Sequence, residues 1–159
     1  MSIPTILANY LQQSGAHYEV CAHAHSRTSA ETARLAHVPE RLLAKSVLLE
    51  DSDGCVMAVV PADSRVRVSA LARLLGRTSL RLSDETTVKR LFTDCDPGAV
   101  PPFGMAYGIE TAVDDELLAR NPDVYVESGD HEQLLHMSRG QFTQLMAHAR
   151  HGHFSRMEH

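Results

Sequence analysis

The stretch AKSVLLEDSDGCVMAVV, residues 44–60, decides the fold. Two runs rich in Val, Leu and Met are separated by Ser52, Asp53 and Gly54, a turn whose backbone needs the glycine. The spacing predicts an antiparallel hairpin whose apolar arms form the buried centre of a sheet.

Working toward the N-terminus, Ile3, Ile6, Leu7, Tyr10 and Leu11 recur at helical spacing, and Gly15 stands where a helix end favours a left-handed residue. HYEVCA alternates like a strand. Thr28 followed by Glu31 forms a capping-box signature ahead of a second helix. Toward the C-terminus, SALARLLG reads as a short helix closed by Gly76, SLRLS as a short strand, and SDETTVKRLF as a helix opened by Ser83. ETAVD reads as extended, DELLAR as a brief helix, DVYVESG and EQLLHMS as strands, and the last helix is capped by Ser138 with Gln141 three residues on. Hairpins dominate and no regular βαβ alternation appears. The fold class is therefore α+β, a mixed, largely antiparallel sheet with helices around it.

At 159 residues the chain is one domain long, and its 43% apolar and 22% charged residues are those of a soluble globular protein. No apolar run approaches the length of a membrane span, and the N-terminus carries no secretory pattern, so a cytoplasmic location and no membrane partner are expected. Three widely spaced cysteines, Cys21, Cys55 and Cys95, argue for free thiols rather than a disulfide framework. His148, His151 and His153 fit no standard zinc spacing, so no metal is expected, and residues 148–159 read as a polar, His-rich tail beyond a single domain at 1–147.

The formal charge is −5, yet seven of the 15 basic residues fall between Arg65 and Arg90, opposed there only by Asp84 and Glu85. That segment is either a solvated helical face or a landing strip for phosphates.

DCDPGAVPPFG, residues 94–104, holds three prolines and two glycines. Proline removes N–H donors and fixes φ, so this run is expected to be a stiff, non-helical curve whose glycines bring bare amides against a ligand, or else a plain structural turn. Lys45 enters an apolar strand on the face of Val47 and Leu49, so it either meets an anion, a carbonyl or a pocket, or snorkels at the strand end. His131 follows Ser128, Gly129 and Asp130 in a turn, placed to bond a substrate or water or to face solvent. His23 and His25 share a face at a strand end and either border a pocket or are ordinary surface.

Taken in order, TSAETA at Thr28 to Ala33, AKSVLL around Lys45, VMAVVPAD, PGAVPPFG, VDDELL at Val113 to Leu118 and ESGDHEQLLHMS resemble one family over nearly the whole chain. It is that of the YbaK, EbsC and prolyl-tRNA-synthetase-associated editing domains. The resemblance implies a barrel-like mixed sheet and a hydrolase, without a cofactor, that removes a wrongly attached small amino acid from tRNA, alone or beside an aminoacyl-tRNA synthetase. Lys45 matches the lysine of the family's K-[ST] strand, Gly98 and Pro102 match its GxxxP loop, and His131 matches a histidine found in some branches. Gly98 and Ala99 are then expected to supply oxyanion-stabilising amides. Tyr18, Thr28, Met57, Pro101, Pro102 and Phe103 are expected to border the substrate. The sequence departs from the family pattern at Asp94, Cys95 and Ala99. A non-catalytic aminoacyl- or nucleotide-binding module is the alternative function, and a metal-dependent hydrolase a third.

Overall fold

The computed structural model describes residues 3–119 and 121–158. In its first half the elements are α1 (Thr5–Gln13), β1 (Glu19–Ala22), α2 (Ser29–Leu35), β2 (Leu43–Asp51), β3 (Gly54–Pro61), β4 (Ser64–Val66), α3 (Val68–Leu75), β5 (Arg81–Leu82) and α4 (Glu85–Leu91). There follow β6 (Glu110–Asp114), α5 (Asp115–Ala119), β7 (Asp123–Glu127), β8 (Gln133–Ser138), α6 (Arg139–Leu145), β9 (Arg150–Gly152) and β10 (Ser155–Met157).

Gly54, at φ +122°, closes the expected hairpin, and β2 and β3 pair antiparallel from Ala44↔Pro61 to Asp51↔Gly54. The main sheet runs β1-β8-β7-β2-β3-β6-β9, with β5 added to β2. Antiparallel pairs join β1 to β8, β7 to β8, β2 to β3 and β2 to β5; β2–β7, β3–β6 and β6–β9 are parallel. The ETAVD segment thus becomes an inner strand, since its residues Thr111 to Asp114 are buried.

Alternation along β2 separates two cores. Ala44 and Leu48 face the larger one, with Met57, Val59, Phe103 and Phe142. Leu43 and Leu49 face the other way, Leu43 toward Ala33 of α2 and Leu49 toward Leu71 of α3 and Phe154. The caps follow the sequence at most termini. Thr28 Oγ1 accepts from the Glu31 N–H, Ser138 Oγ from that of Gln141, and Gly15 and Gly76 are left-handed. At α4 the N-cap is Asp84 rather than Ser83, because the Asp84 carboxylate reaches the Thr87 N–H at 2.8 Å.

Two expectations need correction. Of the expected tail at 148–159, the described residues 148–158 are not a tail: β9 extends the main sheet beside β6, and β10 pairs with β4. Phe154 is fully buried, and its N–H donates to Asp114 Oδ2 at 2.8 Å, so one aromatic and one buried carboxylate draw this polar segment into the fold. The proline-rich curve also contains helical turns of the tight 3-10 type, at Pro97–Ala99 and Gly104–Tyr107. Pro97 opens the first of them, a position where the missing N–H costs nothing. Arg120, the end of the expected DELLAR helix, lies outside the described residues. Among these, no helix is long and apolar enough to cross a membrane.

Candidate functional site

The proline-rich loop is tied down at both ends of its first half. The Asp96 N–H donates to the Gly129 carbonyl at 2.7 Å, joining it to the β7–β8 turn, and Ser46 Oγ donates to the Val100 carbonyl at 2.7 Å, joining it to β2. Between these ties Gly98 lies so close to its neighbours that a Cβ there would sit 2.8 Å from His131 Nε2 and 3.0 Å from the Arg27 carbonyl oxygen. Only glycine fits without displacing the histidine ring.

His131 is held as firmly. Its backbone is left-handed at φ +59°, after Gly129 at φ +110°. Asp130 Oδ1 accepts the N–H groups of Glu132 and Gln133 at 2.9 and 3.1 Å, and Ser128 Oγ donates to the Gln133 carbonyl. The ring is buried, with Nδ1 3.3 Å from Glu127 Oε2 and an edge toward the His25 ring. Burial, the largest influence on His131, pulls its pKa down, but contact with Glu127 and the charges of Glu127, Asp96 and Asp130 outweigh it and hold the imidazole above its ordinary value. Burial pushes the Glu127 carboxyl up, against the pull of His131 and His23. A cleft of about 560 Å³ opens here, lined by His25, Ser26, Arg27, Asp96, Gly98 and His131 among others.

Lys45 lies elsewhere. It lines a neighbouring cleft of about 440 Å³ with Thr28, Ser29, Glu40 and Asp63, and its Nζ donates to the Ser64 carbonyl at 2.6 Å. Burial lowers its pKa, opposed by Glu158, Asp63 and Glu40. Residues 25–27 line the first cleft and 28–30 the second, so the two flank the start of α2. Alternation is the reason Lys45 does not meet the loop: Ser46, on the opposite face of β2, makes that contact.

The structure thus brings Gly98 and His131 together and Lys45 and Thr28 together, and gives other expected residues different roles. Met57, Ala99 and Phe103 are at most 1% exposed and Pro101 and Pro102 are buried, so none lines the Gly98–His131 cleft. They are packing residues, drawn inward because the loop folds back over the larger core. The Ala99 N–H donates to the Asp96 carbonyl at 2.9 Å, so it is spent on the 3-10 turn rather than free for an oxyanion. Thr28 Oγ1 accepts the α2 cap hydrogen bond at the edge of the Lys45 cleft, which leaves its O–H as a donor. Tyr18 lines a separate groove beside β1 and β8, with His17, Asp123 and His136. Burial pushes the Cys95 thiol up to about 12, which removes it as a nucleophile beside the loop.

Four of the seven basic residues of the stretch are paired within the chain. Arg65 pairs with Glu158 at 2.6 Å, Arg77 with Asp51 and Glu110, Arg81 with Glu50 at 3.3 Å and Lys89 with Glu85 at 3.5 Å. Arg67 donates to the His153 carbonyl. His151 is taken up by Asp115 at 2.9 Å, and among the described residues no three His, Cys, Asp or Glu are grouped to hold a metal.

Comparison with known proteins matches residues 23–145, a span holding both clefts except for Glu158, to the model of the aminoacyl-tRNA editing domain. The chain belongs to that family. Proline–tRNA ligase of Xanthomonas oryzae pv. oryzae (strain MAFF 311018) is 29% identical over 93 residues, 58% of this chain. The match covers 16% of that ligase, so the chain corresponds to about one sixth of the relative's length. Among solved structures, the hypothetical protein APE2540 superposes with a TM-score of 0.83 at 26% identity, covering 95% of this chain and 99% of its own. A candidate trans-editing enzyme for prolyl tRNA synthetase superposes at 0.82 with 22% identity, covering 98% and 99%, and shares the fold.

In this editing domain the sequence pointed to Gly98, His131 and Lys45 but not to Ser26, Ser46, Asp96 or Glu127. His25 was legible as a pocket-bordering histidine, one of the two readings of CAHAHS. Glu127 carried one faint signal, a carboxylate directly after the VYV run of its strand.

Proposed function

We propose that this editing domain hydrolyses the ester of a mischarged aminoacyl-tRNA, releasing a small amino acid such as alanine, serine, threonine or cysteine. The observation that carries the reading is the close packing of Gly98 on His131 at the mouth of a cleft, next to a second cleft holding a half-buried lysine. An aminoacyl ester is already activated, so positioning a water and stabilising the oxyanion suffice. The ester lies against the Gly98 backbone with its water on His131. Asp96 and Glu85, which line the same cleft, suit the α-ammonium of the amino acid. The terminal nucleotide crosses the start of α2, and Lys45 takes a phosphate through a charge-assisted hydrogen bond. With a net charge of −5 and four of the seven basic residues of the stretch paired within the chain, tRNA binding is weak and salt-sensitive unless a synthetase partner supplies further basic surface.

The test is a panel of mischarged tRNAs incubated with the protein, with and without chelator. Hydrolysis that survives chelation supports editing; its loss points to a metal hydrolase, and tight binding without turnover to a binding module. Lys45→Ala is expected to lower kcat/KM by about 10- to 100-fold, the scale of one hydrogen bond to a charged group. Unchanged kcat/KM in that variant removes Lys45 from the site.

A further inference from the structure

We infer that Glu127 is a positioning residue: it accepts the Nδ1 proton of His131 and leaves Nε2 as the ring atom that serves the cleft. Its consequence for rate rests on the deacylase reading above; the geometry does not.

Glu127 ends β7 with its side chain in the interior, 1% exposed. Neither carboxylate oxygen has a well-formed hydrogen bond among the described residues, and the group within ion-pair range is His131 Nδ1 at 3.3 Å. A buried carboxylate without a full set of donors is costly, and replacement by an apolar residue of similar size is often neutral or stabilising. Stability therefore does not account for a glutamate here, whereas orientation of an imidazole does. The opposite edge of the ring, Nε2 and Cε1, lies against Gly98, so the two nitrogens have different surroundings. Ser26 Oγ is 3.4 Å from Nδ1 on the Glu127 side, where its hydroxyl is shared with Thr32 Oγ1 and the His131 carbonyl. With its own proton on the His131 carbonyl, Ser26 Oγ accepts at Nδ1, which matches the same assignment of the two nitrogens.

In the reaction, a water oxygen bonds to the ester carbonyl carbon while its proton moves to Nε2. Collapse of the tetrahedral species breaks the bond from that carbon to the ribose oxygen, which receives the proton from Nε2. Glu127 stays ionised throughout, holding Nδ1–H and favouring the transient imidazolium. The charged and titratable groups facing His131 are Glu127 on β7, Asp130 in the turn, Asp96 on the loop and the His25 ring; His23 also faces Glu127.

Glu127→Gln is expected to lower kcat by about 10- to 100-fold with KM little changed, the scale on which outer partners of a functional histidine act. After subtraction of uncatalysed ester hydrolysis, the acid limb of the pH profile moves to lower pH, because the charge that held the imidazole protonated is gone. In a His131→Ala background the same substitution brings no further loss. Nitrogen NMR of the imidazole rings, which needs no substrate, shows His131 with Nδ1 protonated when neutral, and this preference is lost in Glu127→Gln. Wild-type kcat and pH profile in Glu127→Gln, a full further loss in the His131→Ala background, or a native ring protonated at Nε2 would each overturn the inference. If no aminoacyl-tRNA is hydrolysed but the ring shows the Glu127-dependent Nδ1 proton, the deacylase reading falls and the assignment of Glu127 stands.

Discussion

Gly98→Val is expected to lower the deacylation rate by about two to three powers of ten, the scale of losing a preorganised oxyanion donor. The first added carbon alone would stand 2.8 Å from His131 Nε2 and 3.0 Å from the Arg27 carbonyl oxygen. The ring can swing away only by leaving Glu127, and the Arg27 carbonyl is backbone at the entry to α2, so the strain falls on the groups that make the cleft. Gly98 itself is exposed and outside both cores, so the strain enters at the cleft rather than in the core. Thermal unfolding reads how much of that strain reaches the fold, and single-turnover deacylation, measured where the variant remains folded, is expected to collapse. Parent-like turnover in Gly98→Val would remove the loop from the chemistry.

Phe154→Ala is expected to cost about 3–5 kcal/mol, a large share of the 5–15 kcal/mol that holds a domain of this size. The ring is fully buried beside Leu49, Val56 and Leu71, and removing it opens a cavity on the α3 face of the sheet. The β9–β10 segment loses its anchor, and with it the pairings to β6 and β4. Urea unfolding measures the loss directly. A midpoint equal to the parent's would mean that residues 148–158 are dispensable to the fold. Because Glu158 lines the Lys45 cleft, a destabilised C-terminal segment also loosens that cleft, so deacylation in this variant is best measured well below its melting range.

The hairpin at residues 44–60 was legible because two local signals agree: a turn that needs glycine and two apolar arms of strand length. The caps at Thr28 and Ser138 were legible for the same reason, since a cap is decided within four residues. Ser83 was misread because Asp84 offers a stronger acceptor one position later, a competition local sequence does not rank. The parallel pairing of β6 with β3 was not legible, because ETAVD looks the same at an edge as at the centre, and only long-range packing places it. The C-terminal segment read as a tail because its polar residues outnumber its single phenylalanine; the buried Asp114 that binds the Phe154 N–H lies 40 residues away.

For the site, the sequence by itself determined the chemistry available: a stiff loop with a glycine at its start, a lysine in an apolar strand, and a histidine after a glycine turn. Each follows from the backbone freedom or solvation of one residue type in its immediate neighbourhood. Tertiary structure decided which of them meet. Side-chain alternation on β2 gives the loop to Ser46 and sends Lys45 to the other face, while the Asp96–Gly129 hydrogen bond brings Gly98 onto His131. Met57, Pro101, Pro102 and Phe103 went to the core because the loop folds over apolar surface that only the assembled sheet presents. Glu127 became a candidate partner for His131 for the same kind of reason: four residues apart across a turn, the two side chains meet in the interior at 3.3 Å.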